Sequence, residues 1–564
     1  MCGFLGRLRI DGLVSGEVPL AAGLPLLRRR GPDSSREWRS ADGLAELLHA
    51  RLAMVDMDER AHQPLTDSRR RVSLAFVGEV YNHRELRKEL ADYPFRTESD
   101  TEVILAAYLL RGIDGLGMLK GMVACCLVDE ERRRIILFRD AVGKKPLFFA
   151  RWQGYLVFGS SLLAMARAAG ASPRIDPAVL DFYWQKMFVP PQQTVFFDAQ
   201  PVLPGEAIEF DWQGAEVGRR RLEPPAAVKY GGESFAESMG VLRELIDRAV
   251  FRRLDHQHRP ALLLSGGIDS TVIADAAARV ASREGADPRL EALTLASLLP
   301  WLDDEPYAKM AAKRLGLDLK LVRPDFSRLG ENVVRALDLQ DEPLGMPSFF
   351  LLERLVHAAA NHNRILLSGD GGDEVFLGYG RPEEWQGTGQ GETTSLSGPA
   401  LPSWFSPWAR ETAGPVLLGH MLPKVDRASV EQGVEIRCPL LDWEVMAYAR
   451  GLPFEFLTCG GQAKGMLKET LTGWPRRFIR RPKLGFTYHL RWQWVLDDFN
   501  GLRENIHDRA LDAFAGRLPK GLRGRPDSWG RIAVFRHFND AWRLLAWSRF
   551  LFRLSASASG VEKG

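Results

Sequence analysis

The chain has 564 residues, 45% hydrophobic and 26% charged, with 75 basic side chains nearly balanced by 72 acidic ones. That is too long for one hydrophobic core, so two or more domains are expected. A net charge of +3 lacks the clustered basic excess of a nucleic-acid footprint, and apolar stretches such as Met122 to Val128 fall far short of the ~20 residues that span a bilayer. In chain order, Arg71 to Val80 (RVSLAFVGEV) and Arg134 to Phe138 (RIILF) read as strands. Thr101 to Leu110 reads as a helix, with Asp100 placed to cap it. Such a mixture predicts packed sheets with helical cover over residues 2–205. Pro201 to Gly205 and Glu223 to Gly232 mark a junction, a linker over 206–232. Ser234 to Leu254 follows as a long amphipathic helix. Strands at Ala261–Leu264, Leu290–Leu295 and Arg364–Leu367 then alternate with helices at Ser270–Val280 and Pro306–Leu315. That alternation predicts an α/β doubly wound parallel sheet within 233–554, helical from Met421 on. Ser555 to Gly564 reads as a flexible tail.

Arg7 and Arg9 come too soon for a signal peptide. The five cysteines, Cys2, Cys125, Cys126, Cys438 and Cys459, have no disulfide or zinc spacing. They fit a reducing, cytoplasmic compartment. Cys2 is the most informative of them. It is small enough for Met1 to be trimmed, which leaves a thiol and a free α-amine on one residue. The amine titrates near pH ~8 and can accept the thiol proton, so nucleophile and base coincide.

Two loops carry a second chemistry. Ser265-Gly266-Gly267-Ile268-Asp269-Ser270 lies between a buried strand and a helix, where backbone amides cradle phosphate. It lacks the Gly-Lys-Ser/Thr of a Walker A loop. Ser368-Gly369-Asp370-Gly371-Gly372-Asp373-Glu374 follows another strand, at the end where open α/β sheets bind ligands. Asp269 and Asp373 are oxygen ligands suited to Mg²⁺.

Together these features resemble the glutamine-dependent asparagine synthetase family, over roughly residues 2 to 495. The resemblance rests on Cys2-Gly3, Arg30-Gly31-Pro32-Asp33, Arg51-Leu52, His62-Gln63-Pro64, Gly78 to Asn82 and Ser99 to Glu102. It continues through Arg139-Asp140 and Gly143 to Leu147. In the second half Leu264 to Ser270, Ser368 to Glu374, Lys424 to Ser429, Glu435 to Asp442 and Arg481 to Phe486 match in order. The resemblance implies an N-terminal-nucleophile (Ntn) hydrolase sandwich that releases ammonia from glutamine, followed by an ATP-pyrophosphatase domain. By it, Cys2 attacks the glutamine amide, with the Gly78 amide in the oxyanion hole. Arg51 pairs with the α-carboxylate, and Glu79 and Asp100 hold the α-ammonium. Leu264, Ser265, Gly266, Gly267, Asp269, Ser270, Ser368 and Gly369 bind ATP, and Asp269 and Asp373 hold Mg²⁺. Asp370 is the candidate base for ammonia, and Lys464 offsets charge as AMP leaves. Partners are then glutamine and a carboxylic acid acceptor, with no nucleic acid or membrane. A homodimer is common in the family.

Three departures stand out. Val77 occupies the usual Asn position, whose side chain donates to the oxyanion, so glutaminase activity is expected to be impaired. The segment Tyr379 to Lys424 is short for the family and holds a low-complexity run, Gln386 to Pro399. Leu295 to Asp304 (LASLLPWLDD) differs from the family's wording and points to an acceptor other than free aspartate. An intramolecular cyclase of the β-lactam or lasso-peptide type is the alternative within the family. A non-catalytic scaffold is the alternative outside it.

Overall fold

The computed structural model describes residues 2–11, 18–54, 58–222, 232–254, 260–283, 290–296, 304–379, 414–481 and 488–559. In the amino-terminal part the strands are β1 (Gly3–Arg9), β2 (Ser34–Arg39), β3 (Ala45–Arg51), β4 (Leu65–Asp67), β5 (Val72–Val80) and β6 (Gly121–Asp129). They continue as β7 (Arg134–Arg139), β8 (Phe148–Trp152), β9 (Tyr155–Gly159), β10 (Ala199–Pro201), β11 (Glu206–Asp211) and β12 (Glu216–Arg221). Two six-stranded sheets result, ordered β10-β8-β9-β1-β3-β2 and β12-β11-β7-β6-β5-β4. The period-2 alternation of β5 shows how the layers form. Ala75 and Val77 face the core between the sheets, beside Phe4, Leu47 and Phe158. Leu74 and Phe76 face outward, beneath Val103 and Ile104 of the helix Asp100–Arg111. The cap of that helix is Ser99, not Asp100: its side chain accepts from the Thr101 amide. Asp100 instead accepts from the Val80 amide at 2.9 Å.

The expected linker is shorter than 206–232. β11 pairs with β7 and β12 with β11, so the sheet continues through Arg221. Residues 223–231 lie outside the described residues. At the other end the helix Phe538–Ser559 runs through Ser555, which removes half of the expected tail.

The second sheet system comprises β13 (Pro260–Leu263), β14 (Glu291–Leu295), β15 (Asp318–Val322), β16 (Ile365–Leu367) and β17 (Glu435–Arg437). Its order is β15-β14-β13-β16-β17 and every pairing is parallel. Leu262, Ala292 and Ile365 pack beneath the helices Phe235–Phe251 and Ile268–Arg283. Leu263, Leu293 and Leu366 pack on the opposite face, beneath Leu329–Leu337 and Ser348–Ala359. From β13 the chain winds one way to β14 and β15, and then the other way to β16 and β17. The reversal opens a crevice between the carboxyl ends of β13 and β16, where ligands of doubly wound sheets bind. Both glycine-rich loops emerge there.

Candidate functional sites

The first site gathers around the start of β1. Cys2 Sγ sits 3.5 Å from the Leu52 carbonyl and 3.3 Å from the Leu52 amide. Burial pushes the thiol up, against the pull of the terminal amine and of the Leu52 N–H. Arg30 Nε donates to the Cys2 carbonyl at 3.0 Å and so fixes the residue's main chain. Arg51, at the end of β3, reaches the Asp58 carbonyl at 3.5 Å.

The direction of the Gly78 amide follows from strand register. Val123 lies opposite Gly78, and both its main-chain groups bond Asp140, at 3.0 and 2.7 Å. Gly78 is therefore turned away from β6, toward the edge of β5 beyond the end of β4. On that edge the Phe76 amide donates to Gln63 Oε1 at 2.6 Å and the Val80 amide donates to Asp100 Oδ2. The Gly78 amide lies between these two. Only glycine fits: its φ is +134°, and a Cβ would stand 1.7 Å from the Met122 carbonyl oxygen. Val77 beside it is fully buried in the inter-sheet cluster against which Cys2 packs, and it brings no donor.

Glu79 and Asp100 are buried together, but Glu79 has a partner that sequence reasoning did not supply. Arg437, on β17 of the second domain, is 2.7 Å from Glu79. Burial pushes Glu79 well above the carboxylate range; Arg437 opposes this, and Glu435 and Asp100 add to it. Asp100 is pushed up to about 6, mainly by burial. Arg437 and Lys145 outweigh burial at Glu435 and hold its carboxyl down. Three carboxylates thus surround one guanidinium, an environment short of positive charge.

The second site is the crevice between β13 and β16, a cavity of about 650 Å³. Leu264 continues β13, its amide donating to the Leu293 carbonyl. Ser265 Oγ accepts from the Gly267 amide at 3.1 Å and lies 3.1 Å from Ser270 Oγ, which shapes the first loop. The two loops touch: a Cβ on Gly372 would stand 2.4 Å from Asp269 Oδ1, and one on Gly369 2.5 Å from the Ser270 amide nitrogen. Asp269 and Asp373 converge on one cation, the Lys464 ammonium, which pairs with Asp269 and lies 2.7 Å from Asp373. These carboxylates outweigh burial and raise the Lys464 pKa. Two hard oxygen donors that already share one cation fit a Mg²⁺ site. Asp370 is held by Ser368 Oγ and lies 3.5 Å from Lys424.

The structure thus groups Cys2, Gly78, Glu79 and Asp100 at one site, and the two loops with Lys464 at the other. Sequence reasoning assigned no roles to Arg481, Lys424 and Glu374, which also line the crevice. Arg481 pairs with Asp304 and stacks over the Tyr307 ring at 4.6 Å. Lys424 and Arg481 each open a matched segment, and that was their available signal. The rest of Arg481–Phe486, residues 297–303 of the divergent stretch and the Gln386–Pro399 run lie outside the described residues. Among the described residues no helix is long and apolar enough to cross a membrane.

Comparison with known sequences matches residues 1–220 to a glutamine amidotransferase domain family. Residues 241–412 and 412–526 match the asparagine synthase family. Asparagine synthetase B (glutamine-hydrolysing) of Escherichia coli is 28% identical, with 88% of this chain and 83% of that protein covered. Asparagine synthetase (glutamine-hydrolysing) 3 of Bacillus subtilis is 26% identical, with 84% of each covered. The amidase chyE of Penicillium rubens is 29% identical, with 63% of this chain and 54% of that protein covered.

Proposed function

The chain belongs to the glutamine-dependent asparagine synthetase family and is an ATP-dependent amide-forming ligase, and we propose that it amidates a specialised-metabolite carboxylic acid with ammonia drawn from glutamine. The observation that carries the reading is the pairing of a terminal cysteine, packed against the apolar cluster that holds Val77, with two touching phosphate-type loops in a separate crevice. Once Met1 is removed, the α-amine of Cys2 takes the thiol proton and Sγ attacks the glutamine amide carbon. The Gly78 N–H receives the oxyanion, ammonia departs, and water hydrolyses the thioester to glutamate. Arg51 binds the α-carboxylate; Glu79 and Asp100 bind the α-ammonium.

In the crevice an acceptor carboxylate oxygen attacks the α-phosphorus of ATP and pyrophosphate leaves. Leu264 to Ser270, with Ser368 and Gly369, line the phosphate path. Mg²⁺ held by Asp269 and Asp373 would offset phosphate charge. Lys464, released from those carboxylates, then faces the phosphate as ammonia attacks the acyl-adenylate and AMP leaves. Asp370 accepts the proton shed by ammonia. The divergent Leu295–Asp304 stretch and the apolar wall of Met346, Leu352 and Leu355 support an acceptor other than aspartate. Five free cysteines support a reducing cytoplasm, and the family resemblance supports a homodimer.

ATP–pyrophosphate exchange across a panel of carboxylic acids tests the reading. Exchange with a non-amino dicarboxylate or aryl acid supports it, exchange with aspartate alone reduces it to asparagine synthesis, and no exchange with any acid removes it. Cys2→Ala is expected to abolish glutamine-dependent turnover and retain turnover with ammonia; surviving glutamine dependence defeats the amino-terminal assignment. The cyclase reading has one observation in its favour, the donor-less Val77 in an apolar cluster. It would gain if neither the natural chain nor Val77→Asn released glutamate.

A further inference from the structure

The glutamine pocket proposed above is built from the amino-terminal domain, yet its ammonium-binding carboxylate is anchored from the other domain. Arg437 Nη2 stands 2.7 Å from Glu79, its Nε donates to Glu435 at 3.0 Å, and its Nη1 donates to the Arg253 carbonyl at 2.7 Å. Arg253 is itself fixed, donating to Asp442 at 2.8 Å and lying 4.2 Å over the Tyr81 ring, two residues beyond Glu79. Arg437 and Arg253 are each 1% exposed, so neither guanidinium swings freely in water. The main chain of Arg437 is equally committed, because its carbonyl accepts from the Ser368 amide at 2.9 Å. One residue therefore touches the Glu79 carboxylate through its side chain and the second phosphate loop through its backbone.

We infer that Arg437 is a positioning residue for glutamine, aiming Glu79 at the substrate α-ammonium and easing its ionisation against burial, so that the glutaminase pocket is complete only with the second domain in place. The physical need is plain. Glu79 is buried beside Glu435 on β17 and Asp100 on the helix Asp100–Arg111, and a buried carboxylate among carboxylates stays protonated without a cation. A protonated Glu79 offers the α-ammonium a dipole instead of a charge. The fork of Arg437 supplies the missing charge and, by holding Glu435 with a second nitrogen, fixes the direction of approach. Lys145 faces Glu435 and Tyr81 lies beside Glu79, so these complete the ionisable surroundings.

This inference rests on the glutaminase reading, and the experiment separates the two. In the full chain, Arg437→Lys and Arg437→Met are compared with the natural protein for glutamate release, ammonia-dependent turnover and the pH profile of each. The ratio of glutamine-dependent to ammonia-dependent kcat/KM is expected to fall tenfold or more in Arg437→Met, through a raised glutamine KM. The acid limb of the glutamine profile is expected to move at least one pH unit upward. Arg437→Lys, which keeps a charge, should recover part of both effects. A purely structural role would depress both nitrogen sources together and leave the limb where it was, which overturns the inference. If the natural protein releases no glutamate, the glutaminase reading fails; a natural protein that does, with an unmoved ratio in both variants, sinks only the role of Arg437.

Discussion

Val77 concentrates the question at the scale of single residues. Its alternation on β5 turns it into the same apolar layer that Cys2 contacts, so an asparagine there would bring a donor into that layer. Val77→Asn is expected to raise glutaminase turnover, with a ceiling of ~10²–10³-fold, the cost of one such donor elsewhere. The gain belongs in kcat, since the oxyanion exists only after attack. Because Val77 is fully buried, the new amide should also lower stability by about 1–3 kcal/mol while it lacks a partner. Glutamate release and a denaturant titration measure the two; an already fast natural enzyme unaffected by the change would mean that another donor fills the hole. Asp100 adds a pH signature. Burial pushes its carboxyl up to about 6, and the α-ammonium needs it ionised. Glutamine KM is therefore expected to rise as pH falls through about 6, while turnover with saturating ammonium, compared at equal free ammonia, lacks that step. A glutamine KM flat from pH 7 to pH 5 would argue that Asp100 does not bind the ammonium.

At the scale of elements, the short loops after β13 and β16 do the work, and their closeness explains a concrete expectation. Asp269 sits in the first turn of Ile268–Arg283 and Asp373 in that of Gly372–Val375, yet both reach one lysine. Asp269→Asn or Asp373→Asn should abolish pyrophosphate exchange with either nitrogen source, because activation of the acceptor precedes amine attack. Near-normal exchange in both variants would remove the metal assignment. These loops were legible in the sequence because glycines and acids at fixed spacing follow apolar strands. β15 and β17 were not. β15 carries Asp318 and Lys320, and β17 is three residues long with charges at Glu435 and Arg437, so neither shows an apolar run. The same charges hid the link to Glu79: a buried ion pair between residues 358 positions apart has no local signature, and only the packing of two domains brings it together. The hairpin of β11 and β12 reads as linker in the sequence because Pro- and Gly-rich stretches flank it on both sides, and the first of them, Pro201–Gly205, instead carries the chain from β10 in one sheet to β11 in the other.

Considered whole, the molecule is joined through charges that are paired across the domains. Arg30 donates two bonds to Asp426, at 2.8 and 3.1 Å, with both side chains 4% exposed, and Lys145 lies 3.6 Å from the same carboxylate. Ser161 donates to Asp341 and the Val195 amide donates to Glu342 along the same boundary. Asp426 is held below the usual carboxylate range by Arg30 and Lys145, which overcome the burial that would raise it. Its folded pKa is depressed, so the stability it contributes is present above the ordinary carboxylate value near 3.8 and is lost as pH falls below it. Replacing it leaves the buried Arg30 without the carboxylate it is bonded to and takes from Lys145 one of the two carboxylates it faces, whereas an exposed pair would matter little. Asp426→Ala is therefore expected to lower stability by ~3–5 kcal/mol, the range for breaking a buried pair. The effect should reach the nucleophile as well, because Arg30 Nε also holds the Cys2 carbonyl at 3.0 Å. With its far end released, Arg30 loses the anchor through which it holds the Cys2 main chain. Glutamine-dependent kcat should fall further than ammonia-dependent kcat in the fraction that remains folded. Thermal unfolding gives the first quantity and parallel assays below the unfolding transition give the second. A variant as stable as the natural protein, with both nitrogen sources equally efficient, would show that the Arg30–Asp426 pair is incidental.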